Sequence, residues 1–165
     1  MRKLLIILSL LVSFCLSAQK LDVSQVFNPK TLGGGSYVSD VNNVLSAQTR
    51  SRLNEMCVAL ESEVEVEFAI VIVPGIEGDD EYDFAYKLFN DWRIGKEGKN
   101  NGLLWLYVVD IRAMKFETGY GLEGLLPDAY LNSLLDEDIF PLMRERQVDK
   151  AFEEGVAEVF AKLTT

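Results

Sequence analysis

Hydrophobic positions along the chain fall into blocks whose period changes, and each change marks an element. Leu53, Met56, Cys57 and Leu60 recur at i, i+3, i+4 and i+7, with Ser46 placed to cap, so the spacing predicts an amphipathic helix of about four turns. Val64 to Phe68 then alternates with period two and runs into the continuous apolar stretch Ala69 to Val73, which stops at Pro74-Gly75. That pattern predicts a strand whose second half is covered on both faces. Asp79 and Asp80 are placed to cap a second helix, whose stripe is Phe84, Leu88, Phe89 and Trp92 and whose end is Gly95. Leu103 to Val109 is again wholly apolar and predicts a second buried strand.

Two buried strands joined through a helix predict a right-handed parallel βαβ crossover. Asp110 to Ala113 reads as a tight turn, and the alternation over Met114–Thr118 predicts a third strand returning antiparallel as a hairpin edge. Pro127 suits a helix first turn, with Leu131, Leu134, Leu135 and Ile139 on one face and Pro141 as the expected stop. Val148, Phe152, Val156, Val159, Phe160 and Leu163 form the stripe of a last helix. The predicted fold is a three-layer α/β/α sandwich on a small mixed sheet, a parallel βαβ core plus an antiparallel hairpin edge strand, with helices on both faces. Trp92, Trp105, Phe84 and Phe89 fall at core spacings and are expected to pack.

The first 36 residues stand outside this scheme. Arg2 and Lys3 precede the apolar run Leu4 to Leu16, and Ala18 ends it with a small residue, so residues 1–18 read as an export signal and the protein as periplasmic or secreted. Phe14 occupies the position before Cys15 where a lipidation signal wants a small residue. No other stretch approaches the ~18 apolar residues needed to span a bilayer, so the mature chain is expected to carry no integral membrane segment. Residues 19–36, with Asn28-Pro29 and Gly33-Gly34-Gly35, show no sustained period and read as a flexible leader. Residues 37–165 make the folded domain.

Composition removes several functions. The 165 residues are 48% hydrophobic and 25% charged, as in an ordinary globular domain. Sixteen Lys and Arg stand against 26 Asp and Glu, a formal charge of −10, and loss of Arg2 and Lys3 with the signal makes it −12. That field repels nucleic acid. The chain has no histidine, which excludes Ser-His-Asp and Cys-His nucleophiles and imidazole metal sites. After signal removal Cys57 is the one remaining cysteine, so no internal disulfide forms, and its place in the helix stripe makes it a small buried hydrophobe.

The loops carry the candidate chemistry. Gly119 to Gly124 matches G-x-G-x-x-G, but it follows a hairpin arm, no further strand completes a βαβ unit, and Glu123 would oppose a pyrophosphate, so a dinucleotide site is rejected. The glycines instead allow a sharp turn that brings carbonyls and Glu123 to one point. Asp128 and the amide of Asn101 are expected at the same end of the sheet, an oxygen set suited to a hard divalent cation, Ca²⁺ with Mg²⁺ possible. Glu123 and Asp128 equally suit the capping of the following helix. At the other end Asp79, Asp80, Glu81 and Asp83 with Asp110 form a second acidic group, better explained by a helix first turn, where the dipole favours acidic residues with no function needed. Neither has EF-hand spacing. Arg93, Lys96 and Lys99 are the one local cationic grouping and read as a solvated loop.

Taken in order, Tyr37-Val38-x-Asp40 before Leu45-Ser46, Phe89-x-x-Trp92-x-Ile94-Gly95, Asn101-Gly102, Asp110-x-Arg112 and Gly119-Tyr120-Gly121-Leu122-Glu123-Gly124-x-x-Pro127-Asp128 resemble the TPM domain over roughly Tyr37 to Leu163. The resemblance implies an exported or lumenal α/β/α domain of bacteria and chloroplasts. Some members bind Ca²⁺ or other divalent ions, and an acid phosphatase activity has been attributed to a plant member involved in photosystem II repair. Matching positions imply Asp40, Asp110, Glu123, Asp128 and Asn101 as metal-site residues, and the phosphatase alternative makes Asp110 or Asp128 nucleophile or base. The C-terminal membrane helix and Gly-rich tail that relatives often carry are not seen, so a membrane role would need an envelope protein partner. Arg93 stands where a small residue is expected. The leading expectation is an exported divalent-cation module serving envelope assembly or repair; the alternatives are a metal-assisted phosphomonoester hydrolase and a metal-free protein-interaction module.

Overall fold

The computed structural model describes residues 19–33 and 35–165. The export signal expected at 1–18 and the middle of the Gly33–Gly35 turn lie outside the described residues. Four strands form one sheet in the order β1-β2-β3-β4: β1 (Val38–Asp40), β2 (Glu67–Val73), β3 (Gly102–Val108) and β4 (Ala113–Thr118). β1, β2 and β3 are parallel, with Ile70 opposite Val38 and Trp105, and β4 runs antiparallel against β3, with Phe116 opposite Trp105. The helices are α1 (Ala47–Val64), α2 (Glu81–Asp91), α3 (Asp128–Leu134), α4 (Phe140–Arg144) and α5 (Val148–Thr164), so the α/β sandwich with a small mixed sheet is as expected.

Every residue of β2 and β3 is buried. Their alternate side chains therefore feed two separate cores. Phe68, Ile70, Ile72, Leu103, Trp105 and Tyr107 face α1, α3, α4 and α5, while Ala69, Val71, Val73, Leu104, Leu106 and Val108 face α2. On the thicker side Trp105 stacks between Phe116 and Phe152, at 4.9 and 4.5 Å between ring centroids. The ring is fully buried and its Nε1–H has no partner among the described residues. Gly155 of α5 makes room for it: a β-carbon there would lie 2.5 Å from the ring edge.

The second layer has one long helix, and the N-terminal segment completes it. Leu21 bridges to Ile76 in parallel, its N–H donating to the Gly75 carbonyl and its carbonyl accepting from Glu77. Leu21 and Val26 are buried in the α2-side core, two 3₁₀ turns at Val23–Gln25 and Pro29–Leu32 are capped by Asp22 and Asn28, and Lys30 pairs with the buried Glu67 at 2.5 Å. Residues 20 to 32 are thus a docked strap where aperiodic sequence suggested a flexible leader. Burial of a few spaced apolar anchors, with side-chain caps between them, leaves no helical or strand period to read.

Three local differences have clear causes. The alternation from Val64 to Phe68 is not one strand: α1 continues to Val64, Glu65 adopts a left-handed cap (φ 60°), and β2 starts at Glu67. Pro141 does not end the helix begun at Asp128. A π turn over Leu135–Ile139 lets the Phe140 N–H reach back to the Leu135 carbonyl, and the widened turn carries Pro141 into α4 without the bond its nitrogen lacks. β1 is three residues long, too short for a period. It ends on Asp40, whose fully buried carboxylate accepts from the N–H groups of Val44 and Leu45, both at 2.9 Å, and lies 3.4 Å from Arg50. Among the described residues no helix is long and apolar enough to cross a membrane.

Two stability outcomes follow. Gly155→Ala gains helix propensity but drives a methyl into the indole, and urea denaturation is expected to show a net loss of about 1–3 kcal/mol. Asp40→Ala strands two buried N–H donors and is expected to cost about 1–3 kcal/mol in the same measurement, with Asp40→Asn recovering part of it through the one oxygen it keeps.

Candidate functional site

The carboxyl ends of β1, β2 and β3 bring Asp40, Gly75 and Asp110 to one edge of the sheet. Asp40 is spent on its own loop, as described. Asp80 caps α2 by accepting from the Asp83 N–H at 2.8 Å, and Asp79 pairs with Lys87 at 2.6 Å. The acidic group at this end is therefore occupied in capping and ion pairing. Asp110 is exposed on the β3–β4 turn with its carboxylate against Gly75.

Asn101 lies at the other end, entering β3. Its Oδ1 accepts from the Lys96 N–H at 2.8 Å, and its Nδ2 donates to the Glu65 carbonyl. Both halves of the amide are committed to tying the α1 cap to the loop after α2. Glu67 completes that knot, accepting from the Gly95 N–H at 3.0 Å. Lys96 and Lys99 are drawn to Glu61 and Glu65, the closest contact being Lys99–Glu65 at 2.6 Å, in keeping with a solvated ion-paired loop.

The Gly119–Gly124 loop packs onto this knot through its backbone. A β-carbon at Gly119 would lie 2.3 Å from the Asn100 carbonyl oxygen, and one at Gly121 2.2 Å from that of Lys99, so both positions need glycine for close approach. Leu122 and Leu126 are buried beneath the loop, which leaves Glu123 pointing outward. Glu123 and Asp128 then line a hollow of about 420 Å³ together with Lys115, Glu117, Thr118 and Pro127. A neighbouring hollow of about 620 Å³ shares Glu117, Thr118 and Glu123 and adds Tyr86, Arg93, Lys96 and the highly exposed Tyr120.

Of the five residues singled out for a metal, Glu123 and Asp128 share this hollow. Asn101 is nearby with its amide in use, and Asp40 and Asp110 lie at the far end of the sheet. The rise from Leu104 to Val108 alone is about 13 Å, so Asp110 and Asp128 do not act on one substrate atom. Glu117 is the residue that sequence reasoning passed over. It alternates with Met114 and Phe116, which turn inward, so β4 pushes it to the outer face, where it is half-buried. Burial raises its carboxyl pKa, Lys115 opposes this, and the nearby Asp128 charge raises it further. It has no hydrogen-bond or ion-pair partner among the described residues.

The donor chemistry of Glu117, Glu123, Asp128 and the Thr118 hydroxyl is that of a hard, oxygen-seeking cation. As they stand, no three carboxylate or thiol side chains among the described residues converge closely enough to hold a metal ion. The hollow is an open acidic surface that an ion would have to draw together.

The model of the TPM domain family matches residues 38–162. Among solved structures, the chain is similar to the N-terminal domain of a protein from P. gingivalis, at 35% identity and TM-score 0.81, covering 88% of this chain and 92% of that one. It shares its fold with BA42 protein from the psychrophilic bacterium Bizionia argentinensis (13% identity, TM-score 0.63, 75% of this chain and 84% of that one). It does so too with the N-terminal domain of cg2496 protein from Corynebacterium glutamicum (11% identity, TM-score 0.61, 85% and 88%). No curated protein matches. The family match spans β1 through α5 and takes in every residue of the acidic hollow: the chain belongs to the TPM domain family.

Proposed function

We propose that this domain is an exported divalent-cation-binding module, with Ca²⁺ the expected ion and Mg²⁺ its competitor, seated in the hollow between β4 and the start of α3. The observation that carries the reading is Glu117: a half-buried carboxylate with no partner among the described residues, facing Asp128 and Glu123 across one polar hollow. A cation would offset the cost of holding a half-buried carboxylate charged, which Lys115 offsets only in part. Because the carboxylates are not pre-closed, the ion must supply the closure, and affinity is expected in the range of extracellular modules, roughly 10⁻⁴–10⁻³ M. The basic-then-apolar start of the chain supports export to the periplasm or beyond, and an envelope protein partner would connect the ion to assembly or repair.

Titration of the ¹⁵N-labelled protein with Ca²⁺ tests the reading. Amide shifts are expected at Glu117, Thr118, Glu123 and Asp128, saturating at about millimolar ion, and Glu117→Gln with Glu123→Gln is expected to weaken binding at least about tenfold. Flat spectra, or shifts confined to Asp79–Asp83, would sink it. The proton offers a second measurement. A carboxyl raised above its ordinary 4.5 favours the folded state below that pH, and this contribution is lost as pH climbs through the raised value. Without ion, Glu117→Gln is therefore expected to be more resistant to urea than the parent near pH 7 and not near pH 4; the same Ca²⁺ concentration should raise the parent's midpoint more than the variant's.

A further inference from the structure

At the end of the sheet remote from the acidic hollow, the β3–β4 turn and the α4–α5 junction enclose a pocket of about 500 Å³. Its floor is apolar, from Met114, Phe140, Met143 and Val148, and Tyr107 joins them from β3. Arg112, Arg144 and Arg146 line it, and no carboxylate does. In a chain of net charge −10 that grouping is against the odds set by composition. Elsewhere Arg50 and Arg52 are engaged by Asp40 and Glu153, and the lysines at 30, 87, 96, 99 and 150 by other acids, while Lys20, Arg93, Lys115 and Lys162 are scattered and have no ion pair among the described residues. The three pocket arginines have no ion-pair partner among the described residues, although Asp110 and Glu145 adjoin them in sequence; the Glu145 carboxylate instead accepts from the Gln147 amide.

Backbone conformation strengthens the case. Arg112 and Arg146 both adopt left-handed φ, 52° and 61°. Arg146 occupies the position after α4 where the Gln147 N–H reaches the Leu142 carbonyl and its own N–H reaches Met143, a helix ending that favours glycine. Arg112 closes the hairpin turn, its N–H donating to Val109. Two positions where glycine would be less strained thus carry long cationic side chains aimed at one cavity. Tyr107 is 7% exposed, yet its hydroxyl makes no hydrogen bond among the described residues, and Arg112 is close enough to act on it electrostatically.

We propose that this pocket is a binding site for a small amphiphilic carboxylate, with an apolar body on Met114, Phe140, Met143 and Val148 and a planar anionic head held by the arginine forks and the Tyr107 hydroxyl. Guanidinium groups engage carboxylates in pairs of parallel hydrogen bonds, and the volume is that of a small-ligand site. Open α/β sheets bind ligands outside the carboxyl ends of their parallel strands, which is where β3 delivers this pocket.

Hexanoate is the probe, with hexylammonium, hexanol, hexyl phosphate and inorganic phosphate as comparisons, read by ¹⁵N shifts and calorimetry on the purified protein. Hexanoate is expected to shift the amides of Arg112, Met114, Arg146 and Val148 and saturate, whereas hexylammonium and hexanol do not. Arg112→Gly with Arg146→Gly is expected to lose at least about tenfold in hexanoate affinity while its thermal midpoint stays level or rises, since glycine suits both left-handed positions. Tyr107→Phe, which keeps the ring, should lose several-fold. Absence of shifts, equal saturation by hexylammonium, or unchanged affinity in the double variant overturns the proposal. Hexyl phosphate binding more tightly than hexanoate overturns the carboxylate assignment, and inorganic phosphate matching hexanoate overturns the role of the apolar floor.

Discussion

The pairing of β2 with β3 is the constraint from which the rest of the molecule follows. The two strands are hydrogen-bonded in parallel over their full seven residues and are buried along their whole length. Such a pair exposes two apolar surfaces, and neither tolerates water. On one side α1 and α5, with the α3–α4 run, supply more than enough cover, and Gly155 lets the last helix settle directly on Trp105. On the other side α2 alone is too narrow, and Leu21 and Val26, with Val23 packed against them, are recruited from the N-terminal strap to complete the layer. The ion pair between the exposed Lys30 and the buried Glu67 then fastens the strap to the first residue of β2.

The same demand separates the two candidate binding surfaces. With both faces covered, solvent reaches the sheet at its two ends and along the β4 edge, and polar chemistry collects there. At the Thr118 end a glycine-dependent backbone contact holds Glu123 outward beside Glu117 and Asp128. At the hairpin end the turn and the α4–α5 junction gather three cations around Tyr107. A domain whose net charge is strongly negative thus has a bipolar arrangement, with acidic and basic hollows separated by the length of a strand.

The layers were legible because long elements carry their own period: the stripes of α1, α2 and α5 and the apolar runs of β2 and β3 leave few alternatives. Features resting on single residues were not. The left-handed Glu65 splits an apparent strand into a helix end and a strand start, and the π turn carries a helix through Pro141 against the usual rule for proline. Of the candidate site, Glu123 and Asp128 were legible from their glycine loop. Glu117 was hidden in an ordinary edge-strand alternation, although its outward register and proximity to that loop were available signals. Asp40 and Asn101 carry family-like positions but spend their polar atoms on backbone N–H and carbonyl groups, a commitment only the folded geometry reveals. Arg112 and Arg146 meet through tertiary structure, so nothing local announces the basic pocket.

One consequence of the two-core plan concerns how the molecule reports on itself. Trp105 belongs to the thick core and Trp92 to the thin one, on opposite sides of the same sheet. The first is wedged between two aromatic rings; the second packs at the end of α2, in the layer completed by the strap. Each half of the interior therefore owns one tryptophan, and detachment of the N-terminal strap would register in the emission of one indole before the other is disturbed.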